Sequence, residues 1–274
     1  PEPLVRNVLV THADEPIGRR VVKTLFHDPD VRRILAVGDG PPPRAFARFL
    51  AGAEPRLTYA RADLARHRPV AVLFHSPGFR EAEIDTVVHV PRHGAAADAH
   101  APIVAGVAER TAEARLLLQH CLEANEVQSL VALGSAFVYR LPPGNANRLD
   151  EESALDLDPD VVPETRSWID CDMIFHGELH NDRVRVVLLR IPTVVADGGF
   201  VYLNPLLAGT PGLRIRRLGY DPICALVSDK DVARAVQASV HARVAGIYNV
   251  AGNEAVPLSM LTRWTGRASL PAPG

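Results

Sequence analysis

Six short, nearly continuous apolar runs alternate with segments of helical period, and this alternation constrains the fold more than any other feature. The runs are Val8–Val10, Ile34–Val37, Leu57–Ala60, Thr86–Val90, Leu130–Leu133 and Val184–Leu189. Helical spacing is seen over Pro16–His27, Arg44–Leu50, Val104–Ala124, Trp168–Leu179 and Asp229–Val240. A strand that is apolar on both faces must be covered on both faces. The alternation therefore predicts an α/β fold with a doubly wound parallel sheet. The polar stretch Pro142–Glu164 reads as a loop. After Pro192 the pattern loosens. Residues 1–192 and 229–250 are expected to form the core, and residues 193–228 and 251–274 a small C-terminal lobe.

The bulk chemistry narrows the function classes. A formal net charge of −2 gives no electrostatic reason to expect nucleic acid or an anionic membrane as partner. No apolar run reaches the roughly 18–20 residues of a membrane span. Cys121, Cys171 and Cys224 form no C-x-x-C pair, and so sparse a set suits a reducing compartment, so a cytoplasmic location is expected. The chain lacks a starting Met and stops just after a helical pattern, so a fragment of a longer chain is also expected.

Several segments in order carry a resemblance: Asn7–Thr11, Arg61-Ala-Asp-Leu64, Asp85–His89, Leu133-Gly-Ser-Ala-Phe-Val-Tyr139, Val187–Pro192, Val227–Val232 and Ile247–Gly252. Their order and spacing resemble the extended short-chain dehydrogenase/reductase family, the NAD-dependent epimerases and dehydratases. The resemblance implies a Rossmann-type fold, an NAD(P) site, and dimerisation through the helices at about 104–124 and 168–179.

The resemblance also implies a G-x-x-G-x-x-G loop after the first strand, where glycines let backbone N–H groups approach a pyrophosphate. The segment here is Thr11-His-Ala-Asp-Glu-Pro-Ile-Gly18. Only Gly18 survives. His12 replaces the first glycine, at a strain of about 1 kcal/mol if the position has positive φ. Glu15 replaces the second and puts a carboxylate where an anion would sit. Two readings stand: a self-sufficient helix start, with Asp14 as cap and Pro16 pre-set for helical φ, or an altered loop that still binds a dinucleotide. At the adenosine end, Asp39 is available for ribose hydroxyls, and Asp63 and Leu64 match the pair that borders the adenine. Asp39-Gly40 also reads as a turn, and Asp63 as a helix cap.

The implied chemistry needs a Ser or Thr after the fifth strand and a Tyr-x-x-x-Lys one helical turn apart. Ser135 falls at the serine position. The Tyr and Lys positions fall on Trp168 and Asp172. An indole N–H is no acid or base near neutral pH, and Asp172 inverts the lysine's charge. No lysine occurs between Lys23 and Lys230, and the nearest arginine, Arg166, precedes Trp168. Other constellations are weaker. His176 and His180 lie four apart with Asp172 a turn earlier, a metal-compatible spacing, but they read as a solvated face. His89, His93 and His100 follow the fourth strand, where one could act as a base, but they read as structural. No G-x-S-x-G elbow supports a triad on Ser135.

The sequence thus reads as a catalytically inactive relative of these dehydrogenases, a pseudoenzyme working through ligand or protein binding. Its partner is expected to be a protein, a further domain or a small molecule, with no resident cofactor and no metal. The alternative is an enzyme with displaced machinery, either NAD(P)-dependent or redox-neutral.

Overall fold

A computed structural model describes residues 5–51, 55–92, 103–141, 148–196, 199–202, 214–217, 221–253, 255–264 and 269–272. Its first half builds the sheet in successive βα steps. These are β1 (Arg6–Val10), α1 (Pro16–Phe26), β2 (Val31–Gly38), the short α2 (Ala47–Leu50), β3 (Leu57–Arg61), α3 (His67–Phe74), α4 (Pro77–Glu81) and β4 (Thr86–His89). The long α5 (Ile103–Glu123), β5 (Ser129–Ser135), α6 (Pro163–His176) and β6 (Arg185–Ile191) follow. The remaining elements are β7 (Thr193–Ala196), β8 (Gly199–Tyr202), β9 (Arg214–Arg217), β10 (Ile223–Ser228), α7 (Asp229–His241), β11 (Gly246–Asn249), β12 (Ala255–Pro257), α8 (Leu258–Trp264) and β13 (Ser269–Ala272).

Seven strands form one parallel sheet in the order β11-β6-β5-β4-β1-β2-β3. β1 lies beside both β2 and β4, with Val8 opposite Ile34 on one side and Thr86 on the other. The chain reverses direction across the sheet there, and in open α/β sheets the crevice at such a switch point is the ligand site. Both faces are covered. One packs Ile17, Val21 and Leu25 of α1 and Val232, Val236 and Val240 of α7. The other packs Val70 and Phe74 of α3, Phe79 of α4 and Leu117 and Cys121 of α5. Two further sheets stand apart: four strands in the order β12-β10-β7-β8, and the pair β13-β9. No helix among the described residues is long and apolar enough to cross a membrane.

Three local expectations are corrected. α6 starts at Pro163, not at Trp168, and ends at His176, not at Leu179. Pro163 occupies the first helical turn and Glu164 follows it there, both good start signals. Asp14 does not cap α1. Glu15 holds the N-cap position without a side-chain hydrogen bond, and the Asp14 carboxylate instead accepts the N–H groups of Asp39 and Gly40 at 3.1 and 3.0 Å. α3 and α4 lie where no helix is predicted.

Polar clamps hold α7 onto α1. Arg20 Nε donates to Asp229 Oδ2 at 2.7 Å. The buried Asp28 Oδ2 accepts from Gln237 Nε2 at 2.6 Å and from His241 Nε2 at 2.8 Å, while Asp28 Oδ1 accepts the Asp30 N–H. Burial pushes the Asp28 carboxyl up, but these donors outweigh it and hold its pKa below the ordinary 3.8. A carboxyl depressed in the folded state stabilises above its unfolded value and loses that contribution as pH falls through the folded one. Stability is therefore expected to drop below about pH 3.8, and Asp28→Asn should flatten that acid limb in urea unfolding series. An unchanged limb in the variant would refute the assignment.

Candidate ligand cleft

The crevice begins where β1 ends. Thr11, first after the strand, donates its hydroxyl to the Val90 carbonyl at 3.0 Å and accepts the Val90 N–H at 2.9 Å, tying the loop to the end of β4. His12 then adopts φ 43°, the left-handed region that glycine enters freely and other residues enter at about 1–2 kcal/mol. The chain turns there into α1, and Gly18 packs against the turn. A Cβ on Gly18 would run into the His12 carbonyl and the Ala13 Cα, backbone atoms that cannot step aside. Gly18→Ala is accordingly expected to destabilise by about 1–3 kcal/mol through overpacking. The measurement is a lower urea midpoint at an unchanged slope, and a neutral result would refute the close packing.

The His12 ring does not reach solvent. It is 1 % exposed, and its Nε2 lies 3.0 Å from Oε2 of Glu113, a fully buried carboxylate on α5. Burial alone would push the imidazole pKa down, but the Glu113 hydrogen bond and charge outweigh it and raise it above 6.5. The same bond holds Glu113 below 4.5, against burial. Arg92, just past β4, bridges outward. Its Nη2 pairs with Asp39 Oδ2 at the end of β2 and lies 3.7 Å from Glu113 Oε1. Asp39 nonetheless has a raised pKa, because burial exceeds what Arg92 returns. Glu15 is also raised, first by burial and then by Asp14, against the pull of His12, Arg92 and Arg19. The turn thus carries its own ion network.

The backbone donors a pyrophosphate would need are reduced as well. The Glu15 N–H goes to the His12 carbonyl at 2.9 Å, the Ala13 N–H goes to Val37 O at 2.8 Å, and Pro16 has no N–H.

The other half of the crevice lies over β5 and β6. Ser135 is buried, and its Oγ accepts the Phe137 N–H at 3.1 Å, capping the short 3-10 turn Ala136–Val138. Trp168 on α6 is buried under the Arg110 guanidinium of α5, which stands 3.9 Å from the centroid of its rings. Arg110 also pairs with Glu164 at 2.9 Å and donates to Ser167 Oγ. Asp172, one turn after Trp168, is fully buried. Arg190 of β6 forks onto it, Nε to Oδ2 at 2.8 Å and Nη2 to Oδ1 at 2.9 Å. Arg190 Nη1 donates to the Tyr139 hydroxyl at 2.8 Å and to the Glu151 carbonyl at 3.1 Å, and Tyr139 donates in turn to Asn249 Oδ1 at 2.6 Å. Burial raises the Tyr139 pKa despite Arg190 and Asn249, so its phenol stays protonated near neutral pH.

Sequence reasoning sought the replacement cation along the same helix. The structure brings Arg110 and Arg190 from α5 and β6 instead, 58 and 18 positions from Trp168 and Asp172, respectively. No local spacing signals such partners, and the hint is confined to Arg190, an arginine inside the otherwise apolar run of β6.

The remaining predicted residues separate. Asp39 and Asp63 line one open groove of about 520 Å³ with Arg61, Ala62, Arg92 and Glu109. Leu64 is fully buried in the core instead. Asp63 makes a turn, accepting the Ala65 N–H at 3.1 Å and pairing with Arg66, while α3 begins only at His67. His89 is buried with its Nδ1 3.2 Å from Thr11 Oγ1, and burial pushes its pKa down to about 4. His176 and His180 are exposed. His93 and His100 lie outside the described residues. Among the described residues no group of three or more His, Cys, Asp or Glu is placed to hold a metal ion.

A doubly wound α/β domain whose crevice carries its own ion pairs is therefore the class defined by fold and site. No protein-family model matches the sequence, and no curated protein matches it. Solved structures do match in shape. A dTDP-glucose 4,6-dehydratase from Bacillus anthracis in complex with NAD is 14% identical at a TM-score of 0.68, covering 98% of this chain and 85% of that one. A UDP-glucose 4-epimerase from Thermus thermophilus in complex with NAD is 20% identical at 0.68, over 97% and 86%. A UDP-glucuronic acid 4-epimerase from Bacillus cereus in complex with UDP-glucuronic acid and NAD is 16% identical at 0.69, over 97% and 86%. The chain has the fold of the extended short-chain dehydrogenase/reductases, at a sequence distance where likeness carries fold alone.

Proposed function

We propose that this chain is a ligand-binding domain on an oxidoreductase fold, without hydride-transfer chemistry and without a bound dinucleotide. The observation that carries the reading is the buried His12–Glu113 pair with its extension through Arg92 to Asp39. A pyrophosphate brings two or more negative charges. At this turn it would meet Asp14, Glu15, Asp39 and Glu113, while of the nearby cations His12 and Arg92 are already engaged with carboxylates and Arg19 donates to the Asp14 carbonyl. Like charges about 4 Å apart repel by about 1 kcal/mol in water and several-fold more at lower effective dielectric. The residues present therefore do not fit NAD(P) in the geometry the fold family uses.

The reacting end supports the same reading. A buried indole and a carboxylate already committed to Arg190 stand where proton transfer would need a phenol and an ammonium. The groove beside β2 and β3 is open among the described residues, and we take it as the working site.

Calorimetric titration with NAD+, NADH, NADP+ and NADPH tests this. No saturable heat is expected below about 1 mM, a limit of about −4 kcal/mol. Micromolar binding of any of the four, or turnover of a nicotinamide, would refute the reading.

A further inference from the structure

Helix α3 leans on α5 through an apolar contact, in which Val70, Leu73 and Phe74 share one core with Leu117, Leu118 and Cys121. A titratable ring is set into that contact. His120 of α5 is 5 % exposed. It stacks on Phe74 with ring centroids 5.3 Å apart and tilts against His67 at 5.6 Å. Its Nε2 is buried and has no hydrogen-bond partner. Its Nδ1 lies 3.6 Å from Glu123 Oε2, beyond hydrogen-bond length, and that carboxylate is more than half exposed, so solvent screens it.

The neutral ring suits this place and the charged one does not. A second proton on the imidazole makes both nitrogens donors. The Nε2 N–H would then be buried without an acceptor, and a buried polar group left unpaired is costly. The charge would also meet its own kind. α3 carries a histidine at each end, His67 in its first turn and His75 at its C-cap, and both repel a proton on His120. A cation at His67 is disfavoured in turn by the positive end of the α3 dipole. On α5 itself Glu123 pulls the other way, as does the face of Phe74. Arg183 reaches the end of the same helix but gives its N–H groups to the Cys121 and Ala124 carbonyls. Burial is the largest of these effects and leaves the His120 pKa below 6.5.

We propose that α3 is an acid-released latch: protonation of His120 drives its ring from the contact with Phe74 and His67 and loosens α3 while the rest of the sheet stays closed. As pH falls below 6.5, the opened helix takes up a proton that the closed one refuses, so opening becomes easier; above that value the contact holds at full strength. What the latch uncovers is the groove. Pro69 of α3 stands on its lining, and Ala62 and Asp63 lead into the helix, so release of α3 removes one wall. The latch goes beyond the reading of the groove as the working site and does not depend on it.

Hydrogen exchange on the full chain, followed by mass spectrometry and corrected for the intrinsic effect of pH, measures the opening. Between about pH 7.5 and about pH 5.5 the protection of α3 should fall about threefold or more, and that of α1 should change less. His120→Phe keeps an aromatic ring and cannot titrate, so it should hold α3 protection level across the range. His67→Gln, at an exposed position, removes one repelling charge and should shrink the fall without abolishing it.

An absent fall in the parent, an equal fall in α1 and α3, an equal fall in the parent and His120→Phe, or a fall that His67→Gln leaves unchanged would each overturn the proposal. Should His120→Phe fail to fold by circular dichroism, the parent and His67→Gln decide the matter alone.

Discussion

Asp172→Ala is expected to lower stability by about 3–5 kcal/mol, because it leaves Arg190 buried with its partner carboxylate gone. Both side chains are essentially inaccessible, and the pair is a two-point fork at 2.8 and 2.9 Å. The Tyr139 hydroxyl and the Glu151 carbonyl would remain on Arg190 Nη1, but Nε and Nη2 would lose their acceptors. The double variant Asp172→Ala with Arg190→Met should recover much of the loss, because removing both partners of a buried pair is often neutral. Asp172→Lys separates this account from a catalytic one. It installs the lysine that the resemblance implies at this position, yet sets an ammonium against the Arg190 guanidinium, so it should be at least as damaging as alanine and should not create activity. Urea unfolding at neutral pH measures all three. A loss below about 1 kcal/mol for Asp172→Ala would mean that water replaces the carboxylate and the network is not structural.

What the sequence disclosed and what it withheld follow a single physical divide. Six of the seven strands of the main sheet were legible because burial forces continuous apolar runs, as in Val8–Val10 and Leu130–Leu133, while the seventh, the half-buried edge strand β11, was not. α3 and α4 were not, because each is short and contains a proline, Pro69 or Pro77, which reads as a break. The small strands β7 to β13 are three to six residues long, too short for a period to show. At the site, the departures from the residue types that the resemblance implies were legible at once, at His12, Glu15, Trp168 and Asp172. Their partners were not. Glu113 meets His12 across 101 positions and Arg190 meets Asp172 across 18, and these contacts exist only because the sheet order brings α5 beside the first turn and β6 beneath α6. Reading Glu15 as the residue that most disfavours an anion also missed a point the geometry supplies. His12 is the side chain that enters the interior, and Glu113, unremarkable on its helix, is the charge it meets.

His12→Gly sets two of these effects against each other, and their magnitudes decide the sign. Glycine accepts φ 43° freely, so the backbone gains about 1–2 kcal/mol. The same change strips Glu113 of its 3.0 Å partner and leaves a buried carboxylate with Arg92 at 3.7 Å as its nearest cation, a loss of about 3–5 kcal/mol. A net destabilisation of about 2–3 kcal/mol is therefore expected at a position where glycine looks ideal. The pH dependence identifies the cause. His12 has a raised folded pKa, so its contribution is full below about 6.5 and is lost as pH rises through the folded value. Glu113 has a lowered one, so its contribution is present above about 4.5 and is lost as pH falls through the folded value. The pair thus stabilises most between about pH 4.5 and 6.5. His89 titrates in part of that interval with the opposite sign: burial keeps it neutral in the fold while the unfolded chain takes up a proton. For that reason the parent and His12→Gly curves are compared as a difference, which should peak in the interval and shrink toward alkaline pH. Glu113→Gln should give a difference curve of the same shape, and the two substitutions combined should cost less than their sum, since neighbours in one pair are coupled. If His12→Gly proves stabilising, or the difference is flat with pH, the His12–Glu113 contact is not a stabilising ion pair, and the proposed exclusion of a pyrophosphate loses the observation that carries it.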